Sequence, residues 1–266
     1  ALRNAQHVTA ADEAARARVA ESLGDVHELM GHYPEAFAAY QESRARDAGS
    51  EHQARLLRKI GEVRLNEGRL SQSLSWLTRA VRAVEQIDNG RARDLETAET
   101  ARLRAGALHR QGRLRLCAAQ AELAAESAER TGDQLAMARA FNMVEVAYRT
   151  LGRPDAARYS DLALEMFAGS GDLVGEANVL NNRGVRHHFD GQWRSAITEY
   201  ERSRTLRRQA GDVVGEAMVA NNIGEILSLQ GRHDEAVELF EHASAAWQQA
   251  GFTVGVPYAG SNLAMT

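Results

Sequence analysis

Lysine is almost missing from this chain: Lys59 is the only one, and arginine carries nearly all the positive charge. A GC-rich coding sequence produces that bias; selection for the planar, bidentate guanidinium is the alternative source. A single cysteine, Cys117, excludes an intrachain disulfide and a thiolate metal cluster. Only three prolines, 6% aromatic residues and few stretches of alternating polarity disfavour a sheet-rich fold. No 18-residue apolar run and no signal-peptide pattern occur, so a cytoplasmic location without membrane association is expected. A formal net charge of −4 argues against nucleic acid as a partner.

The usual chemical motifs are missing too. There is no Gly-x-x-x-x-Gly-Lys-Ser/Thr phosphate loop and no His-Glu-x-x-His metal motif. His187 and His188 are adjacent and diverge by about 100° on a helix, so they cannot chelate one ion together. The Gly-Asp pairs lack the alternating acidic ligands of a calcium loop. Gly169-Ser170-Gly171 reads as loop punctuation rather than a nucleophile elbow. No enzyme activity, cofactor or metal is expected of this region.

What is present is a repeat. Residues 171–184, Gly-Asp-Leu-Val-Gly-Glu-Ala-Asn-Val-Leu-Asn-Asn-Arg-Gly, return with most positions unchanged at 211–224, an offset of 40, and a third copy begins at Gly251. Turn glycines at 31, 68, 112, 152, 191 and 231 are spaced 37, 44, 40, 39 and 40 apart, with a helix-length amphipathic stretch on each side. Glycine closes one helix and Pro34 or Pro154 opens the next, while the aspartate of each Gly-Asp pair caps a helix start. Each unit is therefore helix, tight turn, helix, loop.

Seven residues before the turn glycine stands a small residue in most units: Gly24, Gly61, Ala105, Gly184 and Gly224. Five residues after it stand Ala36, Ser73, Cys117, Ala157, Ala196 and Ala236, and nine after it Tyr40, Leu77, Tyr200 and Phe240. Small residues let paired helices approach, and the bulky ones fill the space between units. Cys117 is thus a packing residue, as are Trp76, Trp193 and Trp247. The fourth unit departs, with Glu145 at the small position and Asp161 at the bulky one, and is one residue short after Gly152.

These offsets resemble the tetratricopeptide repeat over essentially the whole chain. The length near 40 and the Asn-Asn-x-Gly motif are similar to the variant of kinesin light chains and bacterial signalling regulators. They look most like the C-terminal repeats of actinobacterial nucleotide cyclases or signalling ATPases. The resemblance implies an all-α, right-handed solenoid of stacked antiparallel helix pairs. Residues 1–266 then form a single array of six full repeats and the first helix of a seventh. The chain, which starts at Ala1 and stops inside a repeat, reads as a piece of a longer polypeptide. The 44-residue step places a longer second helix, an exposed loop or a hinge near 85–96.

The resemblance also implies that first helices line a concave groove. Ala220 and Ile223 share a packing face with Leu227, which turns Asn221 and Asn222 towards the groove, with Asn181, Asn182 and Asn142 at corresponding places. Asparagine costs roughly half a kcal/mol in a helix against alanine, so its repetition needs a reason. A carboxamide both donates and accepts and can grip the peptide bonds of an extended segment; bonding between repeats is the competing use. Earlier units offer Arg55, Arg58, Lys59, Arg102 and Arg139, and if these face inward, an acidic segment fits. A solvated arginine face paired with nearby glutamates is the competing arrangement. The expected role is a protein-interaction module within a larger signalling or regulatory protein. A second reading is a self-association surface, as in a homodimer, or an internal regulator of an attached cyclase, ATPase or DNA-binding domain.

Overall fold

The computed structural model describes residues 2–252 and 255–265, with side chains for 12–252 and 255–264. Among the described residues there are thirteen helices and no strand: α1 (Leu2–Leu29), α2 (Tyr33–Arg46), α3 (Ser50–Asn66), α4 (Leu70–Val84), α5 (Gly90–Arg110), α6 (Leu114–Thr131), α7 (Gln134–Thr150), α8 (Ala156–Phe167), α9 (Leu173–Phe189), α10 (Trp193–Ala210), α11 (Val213–Leu229), α12 (His233–Gln249) and α13 (Val256–Met265). They follow one another as antiparallel pairs of the solenoid class, with α13 after the sixth pair. The described residues divide into two compact units, one of residues 1–28 and 32–136, the other of 29–31 and 137–266. The division falls at 136/137, and the 44-residue step with its 85–96 stretch lies within the first of the two units. There the extra residues lengthen α5, a first helix of 21 residues, whose Asn89 cap accepts from Ala92 N at 3.2 Å.

Local chemistry explains the helix ends. Gly191 takes a φ of +73°, where a side chain would be strained, and closes α9 with bonds from Gly191 N to His188 O (3.0 Å) and from Gln192 N to His187 O (2.8 Å). Asp172 and Asp212 each accept from the backbone N–H three residues on, Gly175 and Gly215, at 2.9 Å. The second glycine of the Gly-Asp-x-x-Gly-Glu-Ala string has its own cause. A Cβ there would collide with a bulky residue in the last turn of the preceding helix, Phe167 at Gly175 and Arg207 at Gly215.

The small-against-large pattern is built as the spacing implies. Tyr40, Leu77, Tyr200 and Phe240 are buried, and Gly184 and Gly224 leave the room that Tyr200 and Phe240 occupy. Buried hydroxyls tie second helices to first ones: Ser43 Oγ donates to Ala17 O at 2.7 Å, Ser73 to Gly61 O at 2.8 Å and Ser203 to Ala177 O at 2.7 Å. In the second unit, Ile223, Ile226 and Leu227 of α11 share an apolar cluster with Ala196 and Tyr200 of α10 and Phe240 of α12.

The fourth pair corrects the sequence register. The missing residue after Gly152 moves the buried face of α8 back by one, to Ala156, Ser160, Ala163 and Phe167. Ala157 and Asp161 are exposed, and Ser160 occupies the bulky position. Glu145 stands at the small position and is fully buried, so the pair holds a large residue and a small one in exchanged places.

Candidate functional site

The first helices carry one register, ten and nine residues before each turn glycine, that differs in chemistry between the units. In the first unit it holds Glu21, Arg58, Lys59 and Arg102. Glu21 of α1 accepts from Arg55 Nε at 2.8 Å and lies 2.8 Å from Lys59 Nζ. Lys59 also donates to Asp25 Oδ1 at 2.6 Å. Arg58 of α3 donates to Glu96 of α5 at 2.8 Å, and Arg102 of α5 reaches Glu99 at 2.9 Å and Glu62 of α3 at 3.6 Å. Burial raises the Glu21 carboxyl, but hydrogen bonds from Arg55 and Lys59 hold it down at about 2. Each expected groove cation in this unit is thus engaged by a carboxylate of the chain, and the register is a ladder of ion pairs rather than a cationic strip. Sequence reasoning missed the partners Glu21 and Glu96, which lie 34 and 38 residues from the cations they meet.

A second acidic group adjoins the ladder. The buried Tyr40 hydroxyl has one proton for two carboxylate oxygens, Asp25 Oδ1 at 2.7 Å and Glu28 Oε2 at 2.9 Å. Asn66 Nδ2 donates to the other Glu28 oxygen at 3.0 Å. Burial, followed by the charge of nearby Glu62, pushes the Glu28 carboxyl up to about 8. Beside it, Ser43, His52 and Glu21 mimic the connectivity of a hydrolytic triad, with Ser43 Oγ 3.2 Å from His52 Nε2 and His52 Nδ1 3.8 Å from Glu21. Ser43 is fully buried and gives its proton to Ala17 O, which makes this a packing arrangement.

In the second unit the same register is a ladder of amides. Asn182 Nδ2 of α9 donates to Asn142 Oδ1 of α7 at 2.9 Å, and Asn222 Nδ2 of α11 donates to Asn181 Oδ1 of α9 at 3.1 Å. Asn262 Nδ2 of α13 donates to Asn221 Oδ1 at 3.0 Å. The expected outward direction of Asn221 is corrected: it is 5% exposed, and its amide donates to Glu225 at 2.9 Å while its oxygen serves Asn262. Asn142, Asn181, Asn182 and Asn222 are half-buried, each with one end of the carboxamide in the ladder. Arg139 stands apart, donating to the cap residue Asp172 at 3.0 Å.

Two turns along the same helix face from the amides stand exposed apolar side chains. Phe189, seven residues after Asn182, is 81% exposed, and Leu229, seven after Asn222, is 61% exposed. They hold the same place in successive first helices, two residues before the turn glycine. One face of α9 and α11 therefore carries half-used amides at one end and uncovered apolar groups at the other.

Consecutive antiparallel helix pairs, locked by small-against-large contacts and laddered along their first helices, define a helix-pair repeat protein. Residues 175–249 match the family described as tetratricopeptide repeat. Beyond that stretch, the fold of the described residues is of the tetratricopeptide kind, a fold typical of protein-interaction modules. Solved structures of similar fold include BtubC (BKLC) from P. vanneervenii, at 18% identity and a TM-score of 0.55, covering 84% of this chain and 91% of that one. The Rap conjugation gene regulator of the plasmid pLS20, in complex with the Phr* peptide, has 16% identity and a TM-score of 0.60, over 92% and 73%. A signal transduction ATPase with numerous domains and a tetratricopeptide repeat sensor, from Pyrococcus horikoshii, has 15% identity and a TM-score of 0.62, over 93% and 37%. No curated protein sequence matches closely enough to count as a relative. No described helix is long and apolar enough to cross a membrane.

Proposed function

We propose that this region binds an extended peptide or protein segment along the first helices of the second unit, as a non-catalytic, cytoplasmic module of a larger regulatory protein. The observation that carries this is the shared face of α9 and α11. Asn182 and Asn222 have carboxamide oxygens outside the ladder, able to accept from a peptide backbone, and Phe189 and Leu229 offer apolar contact two turns on. A structural neighbour of this fold is a complex with a peptide, which agrees with the reading. An acidic preference now rests on cations that would have to exchange their present carboxylate partners, so apolar and backbone contacts lead.

Peptides selected on the immobilised protein from a displayed random library supply the test. Their affinity should fall at least tenfold for Phe189→Ala/Leu229→Ala, with unchanged far-ultraviolet circular dichroism. Failure to select any sequence-specific binder, or equal binding by the variant, refutes the proposal.

One observation favours a second reading, self-association. Val19, Leu23 and Val26 of α1 are 61%, 52% and 54% exposed, at the register where Leu56, Ile60 and Val63 of α3 are buried. Light scattering should then give a dimer that Val19→Glu/Leu23→Glu converts to monomer. A wild-type monomer at high micromolar concentration excludes it.

A further inference from the structure

The two most alike helix pairs of the second unit, α9–α10 and α11–α12, differ where each faces the pair before it. Ile223 and Ile226 of α11 are buried against α10 in an apolar cluster. Forty residues earlier, at the same places in α9, stand Arg183 and Arg186. Their partners lie on the fourth pair. Arg183 Nη1 meets Asp161 of α8 at 2.9 Å, and Arg186 Nη1 lies 3.6 Å from Glu145 of α7. Glu145 also takes Arg149 Nε at 3.2 Å, while Arg183 Nε lies 3.3 Å from Glu199 of α10.

This contact is poorly satisfied. Of ten buried side-chain polar atoms without a hydrogen bond among the described residues, four are here: Glu145 Oε2, Ser160 Oγ, Arg183 Nε and Arg186 Nη1. Burial pushes the Glu145 carboxyl up, against the pull of Arg149 and Arg186. At the place of Tyr200 and Phe240 in the next two pairs the fourth has Ser160, and its two helices meet instead through Tyr159 of α8, edge-on to Phe141 and Tyr148 of α7 at ring-centroid distances of 5.6 and 5.3 Å. Finally, α8 has 12 residues, against 18 in α10 and 17 in α12.

Buried ion pairs recover little of their desolvation cost unless their remaining hydrogen bonds are made, and apolar replacements of similar volume are often as stable or more so. In a repeat array each pair is held by its own packing and by its neighbours, so the weakest junction opens first. We infer that the junction between α7–α8 and α9 is an ion-pair joint, at which the second unit opens more readily than at the apolar junction between α10 and α11. The bond from Asn182 to Asn142 crosses the same junction, so opening the joint parts one rung of the amide ladder. This inference does not depend on what the ladder binds.

Hydrogen–deuterium exchange of the wild-type chain, read by mass spectrometry, tests it directly. Amides of α8 should exchange at least tenfold faster than those of α10 and α12. Equal protection overturns the joint without need of any variant. The ionic cause is tested by Glu145→Gly/Ser160→Tyr/Arg183→Ile/Arg186→Ile, which installs the residues of the neighbouring pairs and should slow α8 exchange at least tenfold. Should that variant not fold, Asp161→Ala/Arg183→Ile removes the outer pair, together with the Arg183–Glu199 contact, and should slow it threefold or more. Unchanged or faster exchange in the variant that folds overturns the ionic cause.

Discussion

Gly184 and Gly106 are both helical glycines, and replacing each with alanine should move stability in opposite directions. In an open helical site the change to alanine stabilises by about 0.5–1 kcal/mol, through helix propensity and a stiffer unfolded chain. Gly106 is such a site: the nearest atom to an added Cβ is Leu65 Cδ2 at 3.7 Å, an ordinary contact. At Gly184 the added Cβ would stand 2.5 Å from both Cδ1 and Cε1 of Tyr200, a ring only 1% exposed. The ring cannot withdraw without disturbing Ile223 and Phe240 in the same cluster. Overpacking of a core costs typically 1–3 kcal/mol, so after the propensity gain Gly184→Ala should destabilise by about 1–2 kcal/mol. Urea denaturation followed by circular dichroism at 222 nm resolves differences of that size. The cycle is closed by Tyr200→Ala, because the third pair already holds Ala105 against Ala121, both fully buried. Tyr200→Ala alone should cost about 3–5 kcal/mol through the cavity it leaves. Adding Gly184→Ala to it should cost nothing or restore part of the loss. If Gly184→Ala stabilises as Gly106→Ala does, the glycine is not there to admit Tyr200.

Other predictions concern single side chains. Asp212→Ala removes the cap on Gly215 N and the partner of buried Arg207, and should cost about 2–4 kcal/mol. Asp155→Ala, at a helix start where no side-chain cap bond is made, should stay within about 0.5 kcal/mol by the same urea titration. Glu28 has a folded pKa raised to about 8, so its contribution to stability is complete below its ordinary value near 4.5 and is lost as pH rises through 8. Urea midpoints from pH 5 to 9 should therefore fall for the wild type relative to Glu28→Gln, and parallel curves refute the assignment. Cys117 is fully buried, with burial alone pushing its thiol up to about 11. Iodoacetamide at pH 8 should leave it unmodified in the native protein and alkylate it once the chain is unfolded, and rapid native labelling contradicts its packing role.

The helix-pair organisation was legible because its signals are local and recur. A turn glycine, a small residue seven before it and a bulky one nine after it repeat often enough to place Tyr40, Leu77, Tyr200 and Phe240 in the core. The register of α8 was not legible, because one missing residue shifts every later position on a helix by about 100° and turns Asp161 outward in place of Ser160. The ion-pair ladder was half legible. Arg55, Arg58 and Lys59 stand out in the sequence, but their partners depend on which turn of one first helix meets which turn of the next. That stacking offset is set by packing, so the same cations fitted an open cationic groove and a closed ladder equally well.

The contrast between the two ladders follows from how alike the repeats are. When neighbouring copies carry the same residue at the contact, that residue must be able to bond to itself. Asparagine can, because its carboxamide donates from one end and accepts at the other, so a 40-residue repetition of Asn-Asn produces rungs without any second residue type. Arginine repeated at the same place would set like charges against each other on every rung. The closely matched copies at 171–184 and 211–224 accordingly ladder through amides. The more divergent pairs of the first unit use complementary residues, with Glu21 opposite Arg55 and Arg58 opposite Glu96. This separates the two halves in their unused hydrogen-bonding capacity as well. Each ion pair engages both partners, whereas the rungs from Asn182 to Asn142 and from Asn222 to Asn181 use one end of each carboxamide, and Asn182 and Asn222 lie on the helix face that also exposes Phe189 and Leu229.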